Sequence, residues 1–169
     1  MVEGGLAEAD SRIEGWFKAE FILLCNQLRH ERLVDGYERE ANLRTRSGRS
    51  QIDFRIWIGG HAYLVELKAL CISQAAGTPR NLDFYFRDDH VKLIKDFRKL
   101  EAFADRHLWV LGFVYPRPDL RPGRRILDLL DHGLRRWRCI TNPEDFPPYV
   151  FISAWKADAL PSGVSEVKF

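Results

Sequence analysis

With 169 residues, of which 46% are hydrophobic and 30% charged, the chain has the size and composition of one globular domain, which excludes a disordered or fibrous polymer. Its 26 Lys and Arg against 24 Asp and Glu leave a formal charge of +2, a near-neutral total that names no partner by itself. No apolar run approaches the roughly 20 residues of a membrane span, the first ten residues lack the basic segment of a secretory signal, and Cys25, Cys71 and Cys139 form no CxxC pair. The expectation is a soluble, cytoplasmic protein in a reducing compartment, without a zinc knuckle or a disulfide framework.

Residues 1–9 read as a frayed leader and 157–169 as a tail, which leaves a single domain over 10–156. Over 10–32, Ile13, Trp16, Phe17, Phe21, Leu24 and Leu28 recur at steps of three and four and predict a helix. Asp10 or Ser11 would cap it, with Glu14 at capping-box spacing from Ser11. After a turn at Asp35-Gly36, weak alternation over 39–46 suggests an edge strand. Ile52, Phe54, Ile56 and Ile58 alternate with Asp53, Arg55 and Trp57, a strand with one apolar face. Gly59-Gly60 is a tight-hairpin signal, and 62–70 is the returning strand.

A loop over 72–87 carries the aromatic cluster Phe84, Tyr85 and Phe86. Asp88 or Asp89 then caps a helix to about residue 106, with Val91, Ile94, Phe97, Leu100 and Phe103 on one side. The apolar strand over 107–115 is long enough to be central and buried on both faces. Pro116, Pro118, Pro122 and Gly123 form a loop, a third helix spans 126–139, and a last strand spans 149–155. The order is helix, three strands, helix, strand, helix, strand. It predicts an α/β fold, a three-layer mixed β-sheet flanked by helices.

The hairpin fixes a register. If Gly59 and Gly60 are the loop, Ile58 pairs with His61, Arg55 with Leu64 and Asp53 with Glu66. Glu66 and Lys68 lie two apart and share a face, which also carries Asp53. Opposed Cβ atoms on an antiparallel pair are about 4.5–5.5 Å apart, and like charges there repel. Lys68 offsets this in part. A divalent cation would offset it more fully, since hard oxygen donors at this separation suit Mg²⁺. Apart from Glu66 and Lys68, the strand from Leu64 to Leu70 is apolar, and charges in such a strand are rarely buried without a partner or a task. The plainer alternative is a solvent-facing strand with an ordinary salt bridge.

Asp53, twelve intervening residues and then Glu66-Leu67-Lys68 resemble the PD-(D/E)XK, or restriction-endonuclease-like, nuclease signature. The likeness covers residues 13–115: a leading helix with an inward Glu, a hairpin bearing the acids, then helix and strand. One departure is Ile52, where the family name implies Pro. The resemblance implies a restriction-endonuclease-like core and a nuclease that hydrolyses phosphodiesters, in DNA before RNA. The cofactor would be Mg²⁺, with Mn²⁺ as substitute, held by Asp53, Glu66 and the Leu67 carbonyl. Lys68 would orient the attacking water or steady charge on the phosphate. Glu20, which lies between Trp16 and Leu24 on the helical stripe, matches the Glu that family members often supply from the first helix, and would complete the metal shell. Glu14 lies elsewhere on the wheel and is the weaker candidate.

Nineteen of the basic residues are Arg, and Arg44, Arg46 and Arg49 cluster just before the Asp53 strand. They are candidates for flanking phosphates, as is Lys99 in the helix that follows the loop. Asp96 has at most a supporting role there. The implied partner is nucleic acid, read by backbone or structure more than by base sequence, and duplex cutting by small nucleases of this type commonly uses a homodimer. Two rival expectations remain: a catalytically silent module of the same fold that binds nucleic acid or a protein partner, and an interaction domain that presents Trp57 and Tyr85.

Overall fold

The computed structural model describes residues 3–45, 48–71, 82–86, 93–103, 107–115, 137–140 and 151–157. A helix α1 (Glu3–His30) leads into strands β1 (Gly36–Thr45), β2 (Gly48–Ile58) and β3 (His61–Cys71). A short 3-10 turn (Leu82–Phe86), helix α2 (Leu93–Glu101), and strands β4 (Leu108–Tyr115), β5 (Trp137–Cys139) and β6 (Phe151–Ala157) follow. The six strands form one mixed sheet in the order β1-β2-β3-β4-β6-β5. β1, β2 and β3 meander antiparallel, β4 is parallel to β3, and β6 is antiparallel to β4. The architecture is α/β, with β3 and β4 at the centre of the sheet. Among the described residues no helix is long and apolar enough to cross a membrane.

Strand alternation divides the core into two layers. On one side Phe17 and Cys25 of α1 pack with Val34, Phe54, Ile56, Val65, Leu67 and Phe113. The rings of Phe17 and Phe113 lie 5.3 Å apart, and those of Phe21 and Phe54 4.9 Å apart. On the other side Leu93, Phe97 and Leu100 of α2 pack with Leu64, Leu70, Leu108, Val110, Val114, Trp137 and Trp155. The Tyr85 hydroxyl ties the 3-10 turn to the end of β3, donating to the Cys71 carbonyl at 2.7 Å and accepting from its N–H at 2.8 Å. Gly112 lets β4 and β6 close on each other, since a Cβ there would stand 2.5 Å from Ser153 Oγ and 2.9 Å from Trp155.

Two closures fix how the elements leave one another. α1 ends without a glycine: Arg32 takes the left-handed conformation (φ 62°). The Leu33 N–H donates to the Leu28 carbonyl at 2.8 Å and the Arg32 N–H to that of Arg29 at 3.1 Å, a Schellman motif. Gly59 (φ 57°) and Gly60 (φ 78°) supply the two positive φ angles that a type I′ hairpin needs. The register predicted from that turn holds along the described ladder, from Ile58↔His61 through Arg55↔Leu64 to Phe54↔Val65.

Some expectations are corrected. α1 begins at Glu3, so residues 3–9 are helical and Asp10 and Ser11 lie inside the helix; Glu3, Leu6, Ala7, Glu8 and Ala9 are good helix formers. Residues 137–139, expected at the end of a third helix, form β5, which pairs with β6 and buries Trp137 against Phe97 and the α2 layer. Among the described residues the sheet thus has six strands and not five. The last strand, Phe151–Ala157, runs two residues past the expected end at 155, and residues 149 and 150 lie outside the described residues. The rest of that third helix, Val91 and the Pro-rich loop lie outside the described residues.

Candidate functional site

The site forms where β2 parts from β3. Their ladder ends at Phe54↔Val65, one residue short of the predicted Asp53–Glu66 pair. β2 continues beside β1 through Ala41↔Ile52 to Thr45↔Gly48. Opposite Asp53 on β1, Glu40 takes a left-handed φ of 50°. Ile52 and Phe54 have the same parity, yet Phe54 joins the core under α1 and Ile52 the core under α2. The strand therefore turns at Asp53 and opens a fork. Asp53 keeps hold of β3 through its side chain: its Oδ2 accepts the Leu67 N–H at 2.9 Å.

Charged side chains from both helices meet in this fork. Glu66 is 4% exposed on the α2 side of β3, and Lys99 of α2 forms an ion pair with its Oε1. Lys68, two residues on, reaches Asp96 of α2 at 3.9 Å and Glu14 of α1 at 3.5 Å. Lys18 Nζ lies 2.8 Å from Asp53 Oδ1 and 3.4 Å from Glu14. Glu14 and Lys18 stand one turn apart on α1, and Asp96 and Lys99 one turn apart on α2, so each helix offers an acid and a base on one flank. Four carboxylates face three ammonium groups, a formal excess of one negative charge.

The local field follows from burial and crowding. Burial, reinforced by the nearby Asp53 charge, pushes the Glu66 carboxyl up to about 8, although its Lys99 partner opposes the shift. Burial likewise raises Asp96 to about 6; Lys68 and Lys99 pull against it, and Asp53 and Glu14 add to it. Burial alone would lower the Lys18 pKa, but its hydrogen bond to Asp53 and the charges of Asp53 and Glu14 hold it above the ordinary value.

Of the residues singled out by sequence, Asp53, Glu66 and Lys68 are brought together, and Leu67 enters through its N–H while its side chain fills the α1 layer. Glu20 is not brought in; it is exposed. At 100° per residue, Glu14 and Glu20 sit about 120° apart, on opposite flanks of the buried stripe centred on Phe17. Glu14, the weaker candidate by spacing, occupies the flank that meets the fork. Lys99 lies against Glu66 and not on an outer phosphate path. Lys18 was not anticipated; the signal for it was an acid–base pair four residues apart beside Phe17. Arg44 and Arg49 face each other across the outer end of the β1–β2 hairpin, both exposed. Arg46 lies outside the described residues.

Among the described residues no three His, Cys, Asp or Glu side chains gather closely enough to hold a metal ion. The donor set nonetheless fits Mg²⁺ in kind. Asp53 and Glu66 are hard oxygen donors, and a buried Glu66 crowded by a second carboxylate is a group whose charge a divalent cation would stabilise. Comparison with protein-family models, curated proteins and solved structures finds no match to this chain.

Proposed function

We propose that the protein is a metal-dependent nuclease with a restriction-endonuclease-like core, acting on DNA. The observation that carries the reading is the meeting of Asp53, Glu66 and Lys68 in the fork between β2 and β3, with Glu66 buried. A structural salt bridge does not need a buried carboxylate beside a second acid. That arrangement costs stability, and such perturbed groups cluster at functional sites.

Asp53 and Glu66 would hold the ion, with the Leu67 backbone beside them. A bound Mg²⁺ supplies an acidified water and neutralises charge on the scissile phosphate. The Leu67 N–H fixes the Asp53 carboxylate, so one ligand is held in place without a neighbouring strand pair. Lys68, half-buried between Glu14 and Asp96, is positioned to orient the attacking water or to steady the phosphorane-like charge. Glu14 and Asp96 hold that ammonium from two sides and so act as positioning residues. Arg44 and Arg49 extend the reading outward: like charges directly opposed on a hairpin are unfavourable, and a phosphate between two guanidinium forks relieves them.

The test is nicking of supercoiled plasmid in Mg²⁺ or Mn²⁺. Cleavage is expected to vanish with EDTA and to fall by about 10²–10⁴ in Asp53→Asn and Lys68→Ala. Unchanged cleavage in both variants defeats the assignment. A second reading has one observation in its favour. Lys18 and Lys99 already neutralise Asp53 and Glu66, as they would in a silent module that binds nucleic acid without metal. That reading predicts DNA binding indifferent to metal and to Asp53→Asn.

A further inference from the structure

We propose that Lys18 and Lys99 are resident counter-ions that occupy the acid pair in the metal-free protein and must withdraw for a divalent ion to enter, so that they set the metal concentration at which the site loads. The inference rests on the nuclease reading and concerns the regulation of the same site.

Three observations carry it. First, the two ammonium groups sit on the acids themselves: Lys18 Nζ is 2.8 Å from Asp53 Oδ1, and Lys99 is paired with Glu66 Oε1. Second, they come from the flanking helices, one from each side of the sheet, while Lys68 of the central strand pairs with Glu14 and Asp96 instead. Third, their side chains are 35% and 30% exposed, against 16% for Lys68. A long flexible stem at that exposure can carry its charge into water without crossing an apolar layer. Asp53 does not depend on Lys18 for its place, because its other oxygen is fixed by the Leu67 N–H. A cation at Oδ1 therefore displaces an ammonium and finds an ordered ligand behind it. Two positive charges held at one oxygen repel each other, so binding of the ion competes with the ammonium.

Lys18 gives the clean test, since it is half-exposed and its removal leaves Glu66 paired. The full-length chain is titrated with Mn²⁺ alone by calorimetry in the parent, Lys18→Gln and Lys18→Arg. Lys18→Gln is expected to bind Mn²⁺ about tenfold more tightly and, without metal, to melt about 1–4 °C lower. Lys18→Arg, which keeps the charge, is expected to stay within about threefold of the parent. A Lys18→Gln affinity equal to the parent's, or weaker, overturns the inference while leaving the nuclease reading standing. Absence of Mn²⁺ binding in all three proteins overturns both.

Discussion

The two halves of β2 are built from one alternating sequence but live differently. From Phe54 to Trp57 the strand is paired on both sides, with β1 and β3, and Phe54 and Ile56 fill the layer under α1. From Gly48 to Ile52 it pairs only with β1, and Ile52 packs on the opposite side of the sheet. Asp53 stands at the change. The lesson is that a carboxylate becomes available for chemistry where a strand gives up one ladder: the side chain takes over the bond to β3 that backbone pairing would have made. Space then opens for ionic groups from both helices.

Substitutions can break or sharpen this contrast. The largest effect belongs to the doubly paired half. Phe54→Ala is expected to cost about 3–5 kcal/mol of unfolding free energy in urea, since Phe54 is 2% exposed and packs on Phe21. Gln51→Ala, exposed in the other half, is expected to stay within about 0.5 kcal/mol. Equal losses would mean that Phe54 is not packed in the layer under α1.

Glu66→Gln should reveal the cost of the site. Burial and the nearby Asp53 charge raise the Glu66 carboxyl from an ordinary 4.5 to about 8 while Lys99 pulls against the shift, so proton and ammonium compete for the same carboxylate. The contribution of Glu66 to stability is complete below the lower value and is lost as pH rises through the upper one. The melting temperature of metal-free Glu66→Gln minus that of the parent is therefore expected to climb between pH 4.5 and pH 8 and to level off above. A flat difference across that window would mean that Glu66 is not held in a desolvated state.

At the outer end of the hairpin the expected effect is on binding, not on folding. Arg44→Ala with Arg49→Ala should leave the melting temperature nearly unchanged and weaken DNA binding. The slope of log affinity against log salt should fall by up to about two, roughly 0.9 for each phosphate that is no longer neutralised. An unchanged slope would remove these two residues from the nucleic-acid path. The smallest effect is at Glu20: Glu20→Gln should leave cleavage unaltered, whereas Glu14→Gln, which frees Lys68 on one side, should lower it by about tenfold.

The sequence was informative where local rules dominate. Gly59-Gly60 sets a turn, and the turn sets a register that holds from Ile58↔His61 to Phe54↔Val65; the expected Asp53–Glu66 pair lies one step beyond that ladder, where alternation fails and a side-chain bond to Leu67 takes over. Helix rotation was not legible in the same way. Trp16 and Leu24 belong to the apolar stripe by spacing, yet they are 52% and 45% exposed. The contact of Phe17 with Phe113 instead centres the buried face, and that rotation puts Glu14 in the fork and Glu20 outside. The same holds for β5, three residues whose pairing with β6 is tertiary and whose spacing also suits a helix. Ion pairs such as Lys18–Asp53 depend on how α1 docks, which no local pattern encodes.

Anomalous diffraction from crystals of the full chain grown with Mn²⁺ is the most direct test of the central claim. A single peak bounded by the carboxylates of Asp53 and Glu66, with Lys18 drawn away from Asp53, is the predicted result. Crystals in saturating Mn²⁺ that show no peak there, with both acids still paired to their lysines, would contradict it.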